Sequence, residues 1–106
     1  MLSLILAVAL AAGTKVEVLA FKATWCAPCR AAEPKLKALE VEAKKHPAYD
    51  FKIKRVDVDK DPKLATKYGV ETLPHFVVLV NSKKVYVTGD VDDLVSWLKK
   101  IKNRSR

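Results

Sequence analysis

The only two cysteines of this 106-residue chain stand three positions apart, in Trp25-Cys26-Ala27-Pro28-Cys29, where one local pattern gives way to another. Before them, Val16-Glu17-Val18-Leu19-Ala20-Phe21 is β-rich and reads as a buried strand. After them, apolar residues at Ala32, Leu36, Leu39 and Ala43 recur at helical spacing over about residues 27–46. A strand that runs straight into a helix implies helices packed on a sheet. It also sets Cys26 at or near the helix N-cap, where free backbone N–H groups and the positive end of the helix dipole stabilise a thiolate. Pro28 suits the first helical turn, because its missing N–H would have had no partner there. Two thiols so placed can close a small disulfide ring and reopen it. In that cycle Cys26, partly exposed, attacks a substrate disulfide. Cys29, buried one turn along, then attacks Cys26 and releases the reduced substrate.

Other readings of the pair fit less well. A structural disulfide gains most by tying distant segments, and a ring this small constrains the unfolded chain least. A zinc site needs four ligands, and Cys26, Cys29, His46 and His75 match no common zinc spacing. An inert pair is the third alternative. No metal and no cofactor are implied, because the cysteines carry the chemistry themselves.

The chain is long enough for one domain with a modest core, and its 50% hydrophobic content argues against disorder. Its net charge is +8, from 20 basic and 12 acidic residues. Much of that excess lies in Lys99-Lys100-Ile101-Lys102-Asn103-Arg104-Ser105-Arg106. With no interleaved aromatics for base stacking, this tail reads as a solvated helix end rather than a nucleic-acid site. The run Leu2–Ala12 is apolar all round but too short to span a bilayer. We read residues 1–14 as an extra apolar N-terminal helix stopped at Gly13, ahead of a domain at 15–106. The alternative is a signal-like segment cleaved near Ala9-Leu10-Ala11.

Further along, a strand is expected at about 15–22. Pro34 lies inside the following helix, which His46-Pro47 should end. Phe51–Val58 alternates as a half-exposed strand does. Asp61-Pro62 opens a short helix that Gly69 closes. Phe76–Val80 is an apolar strand, and Asn81-Ser82-Lys83 turns into another at about 84–88. Asp90 caps a last helix, with Asp93 three residues on and an apolar stripe of Val91, Leu94, Val95, Leu98 and Ile101. The expected architecture is α/β. It has a four-stranded mixed sheet, made of two parallel βαβ crossovers plus an antiparallel hairpin edge, with helices on both faces.

Several of these residues together resemble the thioredoxin family. Ala23-Thr24-Trp25-Cys26-Ala27-Pro28-Cys29-Arg30 is similar to its active-site run, with Ala27 in place of a glycine. Pro34 resembles its helix-kinking proline. Tyr68-Gly69-Val70-Glu71-Thr72-Leu73-Pro74-His75-Phe76 resembles its second signature, and Gly89 the glycine at the rim of its substrate groove. The resemblance covers about residues 15–102. It implies the thioredoxin fold and a protein disulfide reductase with Cys26 attacking and Cys29 resolving. Substrate would lie against Trp25, Ala27, Pro28, Leu73, Pro74 and Gly89, with the Leu73–Pro74 bond cis and Leu73 offering backbone groups to an extended segment. The partners would be disulfide-containing proteins and a thioredoxin-reductase-like electron donor, met by a monomer away from nucleic acid and membranes.

Three departures from the family stand out. No strand precedes the first apolar segment. Ala20 occupies the place of a buried aspartate thought to help move the resolving thiol's proton. Lys22 replaces an aromatic, and Arg55 stands where a lysine usually faces that aspartate, which would leave Arg55 without a partner. The absence of cysteines outside the motif fits a reduced cytoplasm. An extracytoplasmic electron carrier, should the apolar start be a signal peptide, and a binding module indifferent to the thiols are the other two readings.

Overall fold

The computed structural model describes residues 13–45 and 50–104. The apolar segment at 2–12 and the helix stop at His46-Pro47 lie outside the described residues. Four strands form one sheet in the order β2-β1-β3-β4. They are β1 (Lys15–Lys22), β2 (Asp50–Asp57), β3 (His75–Val80) and β4 (Lys83–Thr88). Three helices accompany them: α1 (Ala27–Ala43), α2 (Pro62–Lys67) and α3 (Val91–Arg104).

Alternation along β1 assigns its side chains to two layers. Val16, Val18 and Ala20 pack with Ala32 and Leu36 of α1 and with Leu94, Leu98 and Ile101 of α3. Leu19 and Phe21 face the other way, onto Ala65 of α2, with Val56, Val77 and Leu79. β3 is buried on both faces, which is why Phe76–Val80 reads as an unbroken apolar run rather than an alternating one.

One strand direction differs from expectation. β1 and β2 are parallel, with Lys15 opposite Asp50 and Lys22 opposite Asp57. β3 is antiparallel to β1, with Val16 opposite Val80 and Phe21 opposite His75. So the chain makes one parallel βαβ crossover, not two. Length explains it. α2 has six residues, or about 9 Å of helix, whereas an eight-residue strand such as β2 runs about 26 Å. A helix that short does not carry the chain back along the sheet. β3 therefore starts at the edge where β2 ended.

Local signals behave as the residue types dictate. Asp61 caps α2, its carboxylate accepting from the Leu64 N–H at 3.1 Å. Gly69 ends α2 at φ +65°, a conformation glycine adopts without Cβ crowding. Asn81 and Ser82 both have positive φ, as a two-residue turn between right-twisted strands requires. Asp90 accepts from the Asp92 N–H at 2.8 Å at the start of α3. Asp93 turns instead to the Tyr86 hydroxyl, which donates to it, and Thr88 takes the Asp90 N–H. Tyr86 in turn stacks on Trp97, ring centroids 4.6 Å apart.

Candidate active site

The site is built where β1 and β2 end together. The Val58 N–H donates to the Lys22 carbonyl at 2.9 Å and joins the two strand ends. The next residues of β1's exit turn at once, the Cys26 N–H donating to the Ala23 carbonyl at 3.1 Å. Cys26 has extended dihedrals (φ −91°, ψ 104°) and is the N-cap of α1. Its carbonyl accepts from the Arg30 N–H, the first turn of the helix. The Cys29 N–H donates to Cys26 Sγ at 3.2 Å, so the sulfur occupies the place a serine or aspartate oxygen takes in an ordinary cap. No acidic residue stands in the first turn of α1 to oppose a thiolate there. Pro28 lies in that turn, as expected. The Arg30 guanidinium reaches back to the Thr24 carbonyl at 2.7 Å and steadies the loop in front of the helix.

Cys26 and Cys29 are bonded as a disulfide, with Cα atoms 5.3 Å apart. Both are buried, Cys26 at 4% exposure and Cys29 at 8%. Cys26 is thus not partly exposed, as the sequence alone suggested. Its sulfur is bonded to Cys29, and Ala23, Val58 and Leu73 pack around the pair. What separates the two cysteines is the space each one faces. Cys26 lies in the wall of a surface groove with Trp25, Ala27, Pro28, Val58, Val70 and Leu73. Cys29 lines a different, small cavity, with Ala20, Glu33, Arg55 and Pro74.

Trp25 is 67% exposed. Its indole N–H donates to Asp59 at 2.9 Å, which pins the ring to the turn after β2. The Leu73–Pro74 bond is cis. Pro74 and Gly89 meet each other, a Cβ built on Gly89 falling 3.4 Å from the Pro74 carbonyl oxygen. His75, next along, packs edge-on to Phe21. Burial, with a contribution from Lys84, holds its imidazole below the ordinary value. No group of acidic, histidine or cysteine side chains able to hold a metal is found among the described residues.

Arg55 is not left without a partner. Its Nε and Nη2 reach the Glu33 carboxylate at 3.0 and 2.6 Å, and its Nη1 and Nη2 reach Glu40 at 2.9 and 3.0 Å. Glu40 and Glu33 hold the guanidinium above its ordinary pKa, and the bond from Arg55 holds the Glu40 carboxyl below the usual value. Sequence reasoning missed both carboxylates, and Asp59 as well. A signal existed: Glu33 follows Cys29 by four, and Glu40 follows Glu33 by seven, so all three share one face of a helix.

With this geometry in place, comparison with known proteins decides the family. The thioredoxin family model matches residues 7–100. The chain belongs to the thioredoxin family. It is 39% identical over 82 residues to Thioredoxin H5 of Oryza sativa subsp. japonica, a match that covers 76% of this chain and 57% of that one. It is 36% identical over 83 residues to Thioredoxin-1 of Drosophila melanogaster, covering 78% of this chain and 74% of that one. Among solved structures it resembles the Fasciola hepatica thioredoxin at 34% identity and a TM-score of 0.65, covering 87% of this chain and 82% of that one. It also resembles the germline-specific Deadhead thioredoxin of Drosophila at 31% identity and a TM-score of 0.70, covering 81% and 80%. The Cys26–Cys29 pair is the redox-active CxxC of this thioredoxin, a thiol-disulfide oxidoreductase.

Proposed function

We propose that this thioredoxin reduces protein disulfides, with Cys26 as the attacking and Cys29 as the resolving cysteine. In the reduced protein the Cys26 thiolate attacks one sulfur of a substrate disulfide. The substrate bond breaks, its other sulfur leaves as a thiolate, and a mixed disulfide remains. Cys29 then forms a bond to Cys26 Sγ, and the second substrate sulfur leaves with the electron pair of the mixed disulfide. Two electrons have passed to the substrate, and the bonded pair must be recharged by a separate, reductase-like donor. The observation that supports this most is the position of Cys26: its sulfur caps the helix, accepting from the Cys29 N–H, and it lines the groove with Trp25, Pro28 and Leu73, which Cys29 does not.

An extended substrate segment fits the same groove. Trp25, Ala27, Pro28 and Leu73 give it apolar walls, Leu73 offers backbone groups, and Pro74 with Gly89 shapes the adjoining rim. Direct contact with a disulfide protein is the work of a monomer. We place it in the cytoplasm, where a chain with no cysteine outside its motif keeps clear of adventitious bonding.

Insulin reduction by dithiothreitol tests the activity. The protein is expected to accelerate it, and Cys26→Ser should bring the rate back to that of dithiothreitol alone. A Cys26→Ser, Cys29→Ser protein that accelerates reduction as well as the parent would contradict the reading.

A further inference from the structure

Cys29 attacks only as a thiolate, so its proton needs an acceptor while the mixed disulfide stands. The cavity that Cys29 lines measures about 10 Å³, at the lower edge of the space one water needs. Three ionisable side chains share its wall with Cys29: Lys22 at the end of β1, Arg55 of β2 and Glu33 of α1. Lysine and arginine bring donors and no acceptor. From β3 and the loop before it come Phe76 and Pro74, without charge. On α3, Asp92 is tied to Lys35, two positions from Glu33 and so on another side of α1. Glu33 is the one carboxylate on that wall.

We propose that Glu33 is the proton acceptor of Cys29, a role that rests on the disulfide-exchange reading above. Helical side chains lean toward the N-terminus, onto the residue four positions back. For Glu33 that residue is Cys29. Arg55 fixes the carboxylate in place while dividing its own charge between Glu33 and Glu40. Ala20 stands opposite Arg55 across β1 and β2, and it lines the same cavity with no polar group of its own side chain. The step balances. The Cys29 S–H proton passes through one water to Glu33 as Cys29 Sγ bonds to Cys26 Sγ. The bond from Cys26 to the substrate breaks, and the substrate sulfur departs with the electron pair. That thiolate takes a proton from solvent, and Glu33 returns its own to solvent.

Two measurements test the proposal. The first is the thiolate absorbance of Cys29 against pH in reduced Cys26→Ser protein. Adding Glu33→Gln should lower the Cys29 pKa, because a nearby anion disfavours the thiolate. An unchanged titration overturns the proposal. The second is the rate at which a preformed mixed disulfide on Cys26 resolves. Glu33→Gln should slow it roughly 10²-fold at neutral pH, the scale of general-base catalysis, and make it climb with pH as hydroxide takes over. Glu33→Asp should keep the parent's flatter profile. A Glu33→Gln rate equal to the parent's, or reduced by one constant factor at every pH, overturns the proposal. A parent protein that exchanges no disulfides at all overturns the reading beneath it instead.

Discussion

Ala20 is 2% exposed and sits next to a guanidinium that other residues have claimed. In the family an aspartate occupies that place. Here Arg55 turns to Glu33 and Glu40 on α1, so the anionic partner reaches the cavity from the helix rather than from the strand. Ala20→Asp adds a carboxyl group to the wall of the cavity that Cys29 lines. We expect a raised Cys26 pKa, because an added anion disfavours the thiolate, and a more negative reduction potential. Burying the carboxyl should cost about 1–3 kcal/mol. Thiolate absorbance and equilibration with glutathione read the first two, and urea unfolding the third. A folded variant with unchanged pKa and potential would show that position 20 does not act electrically on the disulfide. At this scale the residue types were legible: Cys26, Pro28 and Cys29 from their spacing at a helix start, and Trp25, Pro74 and the substitution at Ala20 from the resemblance to the thioredoxin family. The burial of Cys26 and the partners of Arg55 were not, because both depend on side chains brought in by other elements.

Among the elements, α1 matters most. It presents Cys26 as its cap, Ala32 and Leu36 to the core, and Glu33 with Glu40 to β2. The double ion pair clamps helix to strand, and its pH dependence has a definite sign. The Arg55 bond depresses the folded pKa of Glu40 below its unfolded value near 4.5. Its contribution is therefore present above that value and lost as pH falls through the folded one. The parent's urea midpoint should drop more steeply under mild acid than that of Glu40→Gln. At neutral pH that variant should be less stable by ~0.5 kcal/mol, the scale of a solvent-screened pair. Equal acid slopes would show that the clamp contributes nothing. Strands and helices were readable from periodicity and turn chemistry, including the turn expected at Asn81-Ser82-Lys83, of which Lys83 already belongs to β4. The direction of β3 was not read correctly. Alternating β and α segments suggest parallel crossovers, and only the length of α2 set against that of a strand argues otherwise.

Over the whole molecule, one sheet divides the core into two layers and carries the sulfur pair at the end where β1 and β2 stop together. Cys26 lines a groove with Trp25 and Leu73, and Cys29 lines a separate cavity with Ala20, Glu33 and Arg55. No helix among the described residues is long and apolar enough to cross a membrane. The whole-chain pattern was legible through the resemblance, because the cysteine pair, the Pro74 signature and Gly89 come in the order the thioredoxin family has them. The separation of the two spaces was not, since it depends on how the helix start sits over the sheet. That separation underlies the central claim, that Cys26 attacks and Cys29 resolves. The most direct test is to mix reduced Cys29→Ser and reduced Cys26→Ser separately with a disulfide protein and weigh the products by mass spectrometry. Cys29→Ser should accumulate a mixed disulfide through Cys26, because the resolving attack is gone, and Cys26→Ser should accumulate almost none. Accumulation by Cys26→Ser alone would contradict the account.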